Sequence, residues 1–229
     1  MSKRFLRIAD TLYHWVFPRV IEQDAETQTL LRNIYPTINW QKVRFYEGLP
    51  WFIAGSYVNA IVLPATWNRQ YIHAYFAVYQ PDTLAGLSTI IHEGFHVLQY
   101  QDLGKGIGFM RRFMVCYLAD YFQLFFKNIL KKGSQVANRI AYEKHPMEIP
   151  AYTQDRYFSQ HCLRHKMRIP STQLPSQLIH THCGYSPQLA FPFLLMGFLM
   201  TLLFMLIKPF IEVFFLIIAA PMYVIGRIF

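Results

Sequence analysis

The run His92-Glu93-Gly94-Phe95-His96 lies between Pro81-Asp82-Thr83, a breaker with two candidate N-caps, and Gly104, a C-terminal stop. That punctuation predicts a helix across the motif. Residues four apart on a helix share a face, so His92 and His96 can aim two imidazole nitrogens at one ion. Glu93 stands about 100° round, outside that pair but placed to take a proton from a water on the ion. Leu84, Leu87, Ile91, Phe95 and Leu98 form an apolar stripe that should bury one side of the helix. His92, His96 and Gln99 share another face, which is expected to look into a cleft.

Two histidines do not complete a catalytic zinc site, which takes three protein ligands and leaves a position for water. Residues 142–152 (YEKHPMEIPAY) offer Glu143, His145 and Glu148. Pro146 suits the first position of a second helix, putting Glu148 in its first turn and Tyr152 four residues on, on the same face. Glu148 is therefore the expected third ligand, with Glu143 and His145 as alternatives. A carboxylate in a first turn also has a plainer use, favouring the positive end of the helix dipole.

Residues 88–101 (STIIHEGFHVLQYQ) resemble the HExxHVxQ helix of small bacterial zincin-like domains, many catalogued only as domains of unknown function. These are related in pattern to the zincin-like core domain found near contractile injection systems. The resemblance extends upstream to a short basic strand at 43–48 and an apolar strand at 59–63, and downstream to residues 142–152. It covers roughly residues 40–155. It implies an α+β zincin-like fold, with a small sheet, the HExxH helix and packed helices. By that likeness His92, His96 and Glu148 would be zinc ligands and Glu93 the catalytic acid/base. One departure is Pro150, which fits the second helix only if that helix begins at Pro146.

Hydrophobic residues make up 53% of the chain, and the excess gathers at the C-terminus. Residues 189–207 (LAFPFLLMGFLMTLLFMLI) carry no charge over 19 positions. At about 1.5 Å per residue they span roughly 28 Å, near the thickness of a bilayer's hydrocarbon core. After Lys208-Pro209 a second apolar run, residues 210–225, is interrupted by Glu212 and Pro221. The first run is expected to cross a membrane, and the second to return as a hairpin or lie in the interface.

Residues 1–20 have basic groups but no uninterrupted apolar stretch and no small-residue cleavage site, so they do not read as a secretory signal. They suit an amphipathic helix instead, with Phe5, Ile8, Leu12 and Trp15 opposite Lys3, Arg4 and Arg7. Without a signal, the HExxH domain is expected in the cytosol, attached to what is expected to be a bacterial inner membrane. Arg164, Lys166 and Arg168 before the first span agree with the positive-inside tendency. A net charge of +9 then finds its simplest partner in anionic lipid. No nucleic-acid fold accompanies the basic residues, and nucleic acid is not an expected partner. Three cysteines at no regular spacing fit a reducing compartment better than a disulfide framework.

The chain is expected to comprise N-terminal amphipathic helices (1–39), the zincin-like domain (40–158), a juxtamembrane linker (159–188) and a membrane anchor (189–229). Strands are predicted at 42–47, 57–63 and 72–79, the last a candidate edge strand for binding substrate by strand addition. A long aromatic helix over 108–129 is expected across the back of the HExxH helix. The expected function is a membrane-anchored zinc metallopeptidase acting on a peptide or protein substrate. The alternative is a zincin-like metal-binding scaffold or self-processing domain without general protease activity.

Overall fold

The computed structural model describes residues 18–50, 59–64, 71–104, 112–165 and 174–228. The amphipathic helix expected near the N-terminus, the start of the 57–63 strand and the first residues of the 108–129 helix lie outside them. The chain divides into two compact units: residues 1–22, 41–79 and 205–229 form one, and residues 23–40 and 80–204 the other.

The first unit holds a mixed four-stranded sheet of β1 (Arg19–Ile21), β2 (Val43–Glu47), β3 (Ala60–Pro64) and β4 (Ile72–Phe76) in the order β1-β2-β4-β3. β2 runs parallel to β4, while β1 and β3 pair antiparallel at the two edges. Alternation decides the faces: Val43 and Phe45 are buried, whereas Arg44 between them is exposed. Phe45 meets Phe76 across the parallel pair at 5.3 Å between ring centroids. The 72–79 segment is thus not an edge strand. β4 is bonded on both sides, so its backbone groups are spent within the sheet and cannot take a substrate strand.

The second unit is helical. α1 (Ala25–Ile34) starts at Asp24, whose side chain accepts from the Thr27 amide at 2.7 Å, and it buries Leu30, Leu31 and Ile34. α2 (Leu84–Leu103) carries the HExxH motif and is capped as its sequence predicts. The Thr83 hydroxyl accepts from the Gly86 amide at 3.0 Å, and Gly104 closes the C-terminus at φ 66°, where a side chain would be strained. α3 (Arg112–Lys132) follows, then α4 (Ser134–Glu143), a helix with no expectation from sequence, set off by Gly133 at φ 78°. α5 (Glu148–His165) begins two residues after Pro146, leaving Pro150 in the first turn, where its missing N–H costs nothing.

Two expectations about α2 fail here. It is buried nearly all round, from Leu87 through Tyr100, so its histidine face does not open into a broad cleft. α3 is also not on its back: Phe113 sets its ring edge against His96 at 6.0 Å, on the motif's own side. In both cases large side chains of α3 and α5, namely Phe113, Tyr117 and Tyr152, lie over the polar face.

Within the 159–188 stretch, α5 continues to His165, and residues 177–183 are tied down rather than loose. The His180 amide donates to Ile34 O at 2.8 Å, and Gln154 Nε2 donates to Leu178 O at 2.8 Å. α6 (Phe191–Ile228) takes in both apolar runs as one helix, so no hairpin turn forms at Lys208-Pro209. Its residues Phe191–Phe210 are long and apolar enough to cross a membrane, with a mean hydropathy of 2.1 and only 22% of them buried. Where α6 passes α3, a Cβ on Gly197 would lie 2.4 Å from Val115 O, so the two backbones approach as closely as glycine allows.

Gly94, inside the motif, has a similar role. A Cβ there would lie 2.7 Å from Cε2 of Tyr35, a fully buried ring whose hydroxyl donates to Ile91 O at 2.7 Å. Overpacking a rigid site costs about 1–3 kcal/mol, against about 1 kcal/mol gained by Gly→Ala in a helix. Gly94→Ala should therefore lower the unfolding free energy by up to about 2 kcal/mol, read as a lowered denaturation midpoint.

Candidate metal centre

α2 and α5 bring His92, His96 and Glu148 together as expected, and all three are buried. His92 Nε2 lies 3.2 Å from His96 Nε2 and 3.2 Å from Glu148 Oε2, and His96 Nε2 lies 3.5 Å from Glu148 Oε1. Four ligands arranged tetrahedrally at about 2.0–2.1 Å from zinc stand roughly 3.3 Å apart. The His92–His96 and His92–Glu148 separations have the size of such a tetrahedron's edges, while His96 lies nearer the other carboxylate oxygen, Oε1. Among the described residues, no other group of three His, Cys, Asp or Glu side chains comes together in this way.

The outer nitrogens establish which atoms face inward. Gln99 Nε2 donates to Met147 O at 2.9 Å, so Gln99 Oε1 is left to accept from His96 Nδ1 at 2.7 Å. Asp155 Oδ2 accepts from His92 Nδ1 at 3.2 Å. With both Nδ1 atoms protonated as donors, both Nε2 atoms present lone pairs to the same point. Two buried acceptors 3.2 Å apart repel unless a proton or a cation sits between them. That requirement, with a carboxylate at the same point, is the chemistry of a divalent metal site, and the residues present fit zinc.

The same geometry explains the electrostatics. Burial alone would depress His92, but hydrogen bonds to Asp155 and Glu148 and the charge of Glu93 raise its pKa well above the usual imidazole range. His96 is likewise raised, burial being outweighed by Glu148. Burial pushes Glu148 up, yet the two imidazolium groups hold it far below the usual carboxylate range.

The alternatives for third ligand are used elsewhere. His145 accepts from the Met147 amide at Nδ1 (3.1 Å) and donates from Nε2 to Tyr117 O (2.9 Å), so neither nitrogen is available. Burial lowers its pKa to about 4, keeping the ring neutral. Glu143 is exposed at the end of α4 and pairs with Arg139 at 3.9 Å.

Glu93 is 4% exposed, and its Oε2 has no hydrogen-bond partner among the described residues. Burial raises its pKa, partly offset by the charges of His96 and His92. Its own charge acts in turn to raise the pKa values of Tyr117, Tyr142 and Tyr152. Tyr152 sets its ring 4.7 Å from that of His92, and Tyr142 packs edge-on against Tyr152 at 6.3 Å. Burial above all, then the carboxylate of Glu148, holds the Tyr142 hydroxyl neutral as a donor.

Two supporting residues had no expectation from sequence. Tyr117 donates to Glu148 Oε1 at 2.7 Å, and Asp155 orients His92. Asp155 follows Glu148 by seven residues, two helical turns, so its spacing was a usable signal. Tyr117 carried none, because its role depends on where α3 packs. No family model, curated protein or solved structure matches this chain.

Because Gln99 both orients His96 and ties α2 to the backbone just before Glu148, Gln99→Leu should weaken zinc binding by about 10- to 100-fold, measured by chelator competition. Metal binding must also displace the proton held on the raised His92. Affinity for added zinc should fall as the pH drops below about 10, the value to which His92 is raised, by up to about tenfold per pH unit for each proton displaced, with proton release visible in calorimetry across buffers.

Proposed function

We propose that this chain is a membrane-attached zinc metallopeptidase, with His92, His96 and Glu148 as ligands and Glu93 as general base. The observation that carries the reading is the triangle of inward-facing ligand atoms beside a buried carboxylate with an unpaired oxygen. Zinc bound there would supply a Lewis acid and bring a water's pKa down to about 7.

The chain's own residues divide the remaining work. Glu93, with its pKa raised by burial, accepts a proton and passes it to the leaving amine. Its unpaired Oε2 is the atom that receives it. Tyr152, and Tyr142 behind it, are hydroxyl donors for the oxyanion that develops on a substrate carbonyl. Asp155 and Gln99 hold both imidazoles in the tautomer that ligation needs. α6 attaches the protein to a membrane, and the basic residues before it favour a cytosolic site for the metal centre.

The burial of the centre favours a second reading, a metal-binding scaffold. His92 and His96 are each 6% exposed and Glu148 3%, as in a closed structural site.

Glu93→Gln separates the two. In a peptidase it should keep stoichiometric zinc and the native melting profile while lowering the rate of peptide hydrolysis by about 10²- to 10⁴-fold. Wild-type turnover in that variant would rule out Glu93 as the base. A zinc-loaded chain that cleaves no peptide in a broad library would favour the scaffold. The membrane assignment has its own check: the protein should stay in the pellet on alkaline carbonate extraction, and release of intact protein would refute it.

A further inference from the structure

Beside the metal centre lies an open cleft of about 470 Å³, lined by Glu143, Ile149, Tyr152, Thr153 and Arg156. Its size is that of a binding site for a small ligand or a short peptide segment. Four of the five residues, Ile149, Tyr152, Thr153 and Arg156, fall at i, i+3, i+4 and i+7 of α5 and form one helical face. Glu148 and Asp155 project from the adjoining face toward the histidines. Tyr152 belongs to both, since it lines the cleft and sets its ring against His92 at 4.7 Å. Tyr152 therefore borders both the cleft and the centre.

The cleft's lining carries one acidic and one basic side chain, Glu143 and Arg156. Glu143 is answered by Arg139 at 3.9 Å. Arg156 is exposed and has no ion pair among the described residues. A guanidinium is always charged, and its planar fork matches a carboxylate at two points. Beside it, Thr153 and the ring of Tyr152 supply a hydroxyl and an apolar wall, and Ile149 adds an exposed aliphatic surface.

We infer that this cleft receives an extended peptide segment bearing a carboxylate side chain, and that Arg156 is the residue that selects it. The inference rests on the peptidase reading for its occupant. Its geometry puts acidic residues of the substrate in the cleft while the neighbouring peptide bond reaches the centre past Tyr152.

Binding tests the assignment without requiring turnover. The full chain carrying Glu93→Gln, zinc-loaded in detergent, would be titrated with three fluorescein-labelled peptides, followed by anisotropy. The peptides consist otherwise of Ala and Ser and carry spaced Asp, Asn or Lys. The Asp peptide should bind roughly five- to tenfold more tightly than the Asn peptide, the scale of one charge-assisted contact. Adding Arg156→Gln should remove that difference, and Arg156→Glu should shift the preference to the Lys peptide. Arg156 is exposed, so these changes should leave the melting profile in place.

Equal or absent binding of the Asp and Asn peptides overturns the inference, as does an Asp preference that persists in Arg156→Gln. The two readings fail separately. Arg156-dependent Asp binding by a chain that hydrolyses nothing removes the peptidase and keeps the cleft. Hydrolysis with no charge preference removes the cleft's role and keeps the peptidase.

Discussion

Two imidazole lone pairs and a carboxylate, buried within 3.5 Å of one another, cannot coexist without positive charge between them. The centre of the helical unit is organised around that constraint. The same crowding pushes His92 and His96 up against the effect of burial and holds Glu148 down. A metal ion could satisfy it, and the outer hydrogen bonds of Asp155 and Gln99 turn the Nε2 atoms of both rings inward. The supporting groups matter as much as the ligands, since without them either ring could turn its protonated nitrogen toward the ion.

That arrangement needs α2 enclosed. A polar helix face is normally left to solvent, but here Phe113 and Tyr117 from α3 and Tyr152 from α5 cover it. On the other side, Gly94 admits the ring of Tyr35, whose hydroxyl bonds Ile91 O. The Gln99 contact to Met147 O then sets α2 against the start of α5, so the spacing between His96 and Glu148 depends on a side chain that is not itself a ligand. Enclosure also has a chemical use. Charges in a water-poor site act on one another more strongly, and a buried Glu93 keeps a raised pKa suited to carrying a proton.

α5 joins the centre to the surface. One of its faces carries Glu148 and Asp155 inward, and the next carries Tyr152, Thr153 and Arg156 to the cleft. Such division of a single helix follows from the 3.6-residue period, and it makes Tyr152 the side chain common to both. α6 is of a different kind. It leaves Phe191, Leu195, Leu199, Leu203 and Phe210 exposed along its length, an apolar surface suited to lipid.

Local chemistry made part of this legible. The caps of α2 at Thr83 and Gly104, the shared face of His92 and His96, and the first-turn position of Glu148 follow from spacing and from backbone rules that act within a few residues. The three sheet strands predicted from β-branched and aromatic runs formed near their expected places for the same reason. What spacing could not reach were contacts between distant segments. β4 became an inner strand because β2 and β3 both paired with it, and a strand's neighbours are not written in its own residues. α3 packed over the motif face through Phe113 and Tyr117, side chains equally suited to the opposite side. α6 ran through Lys208-Pro209 because a proline removes one hydrogen bond without compelling a turn. The sequence by itself determined which atoms could bind a metal. Only the tertiary structure decided that three of them meet, since their meeting depends on α5 returning to α2 across the 51 residues of chain between His96 and Glu148.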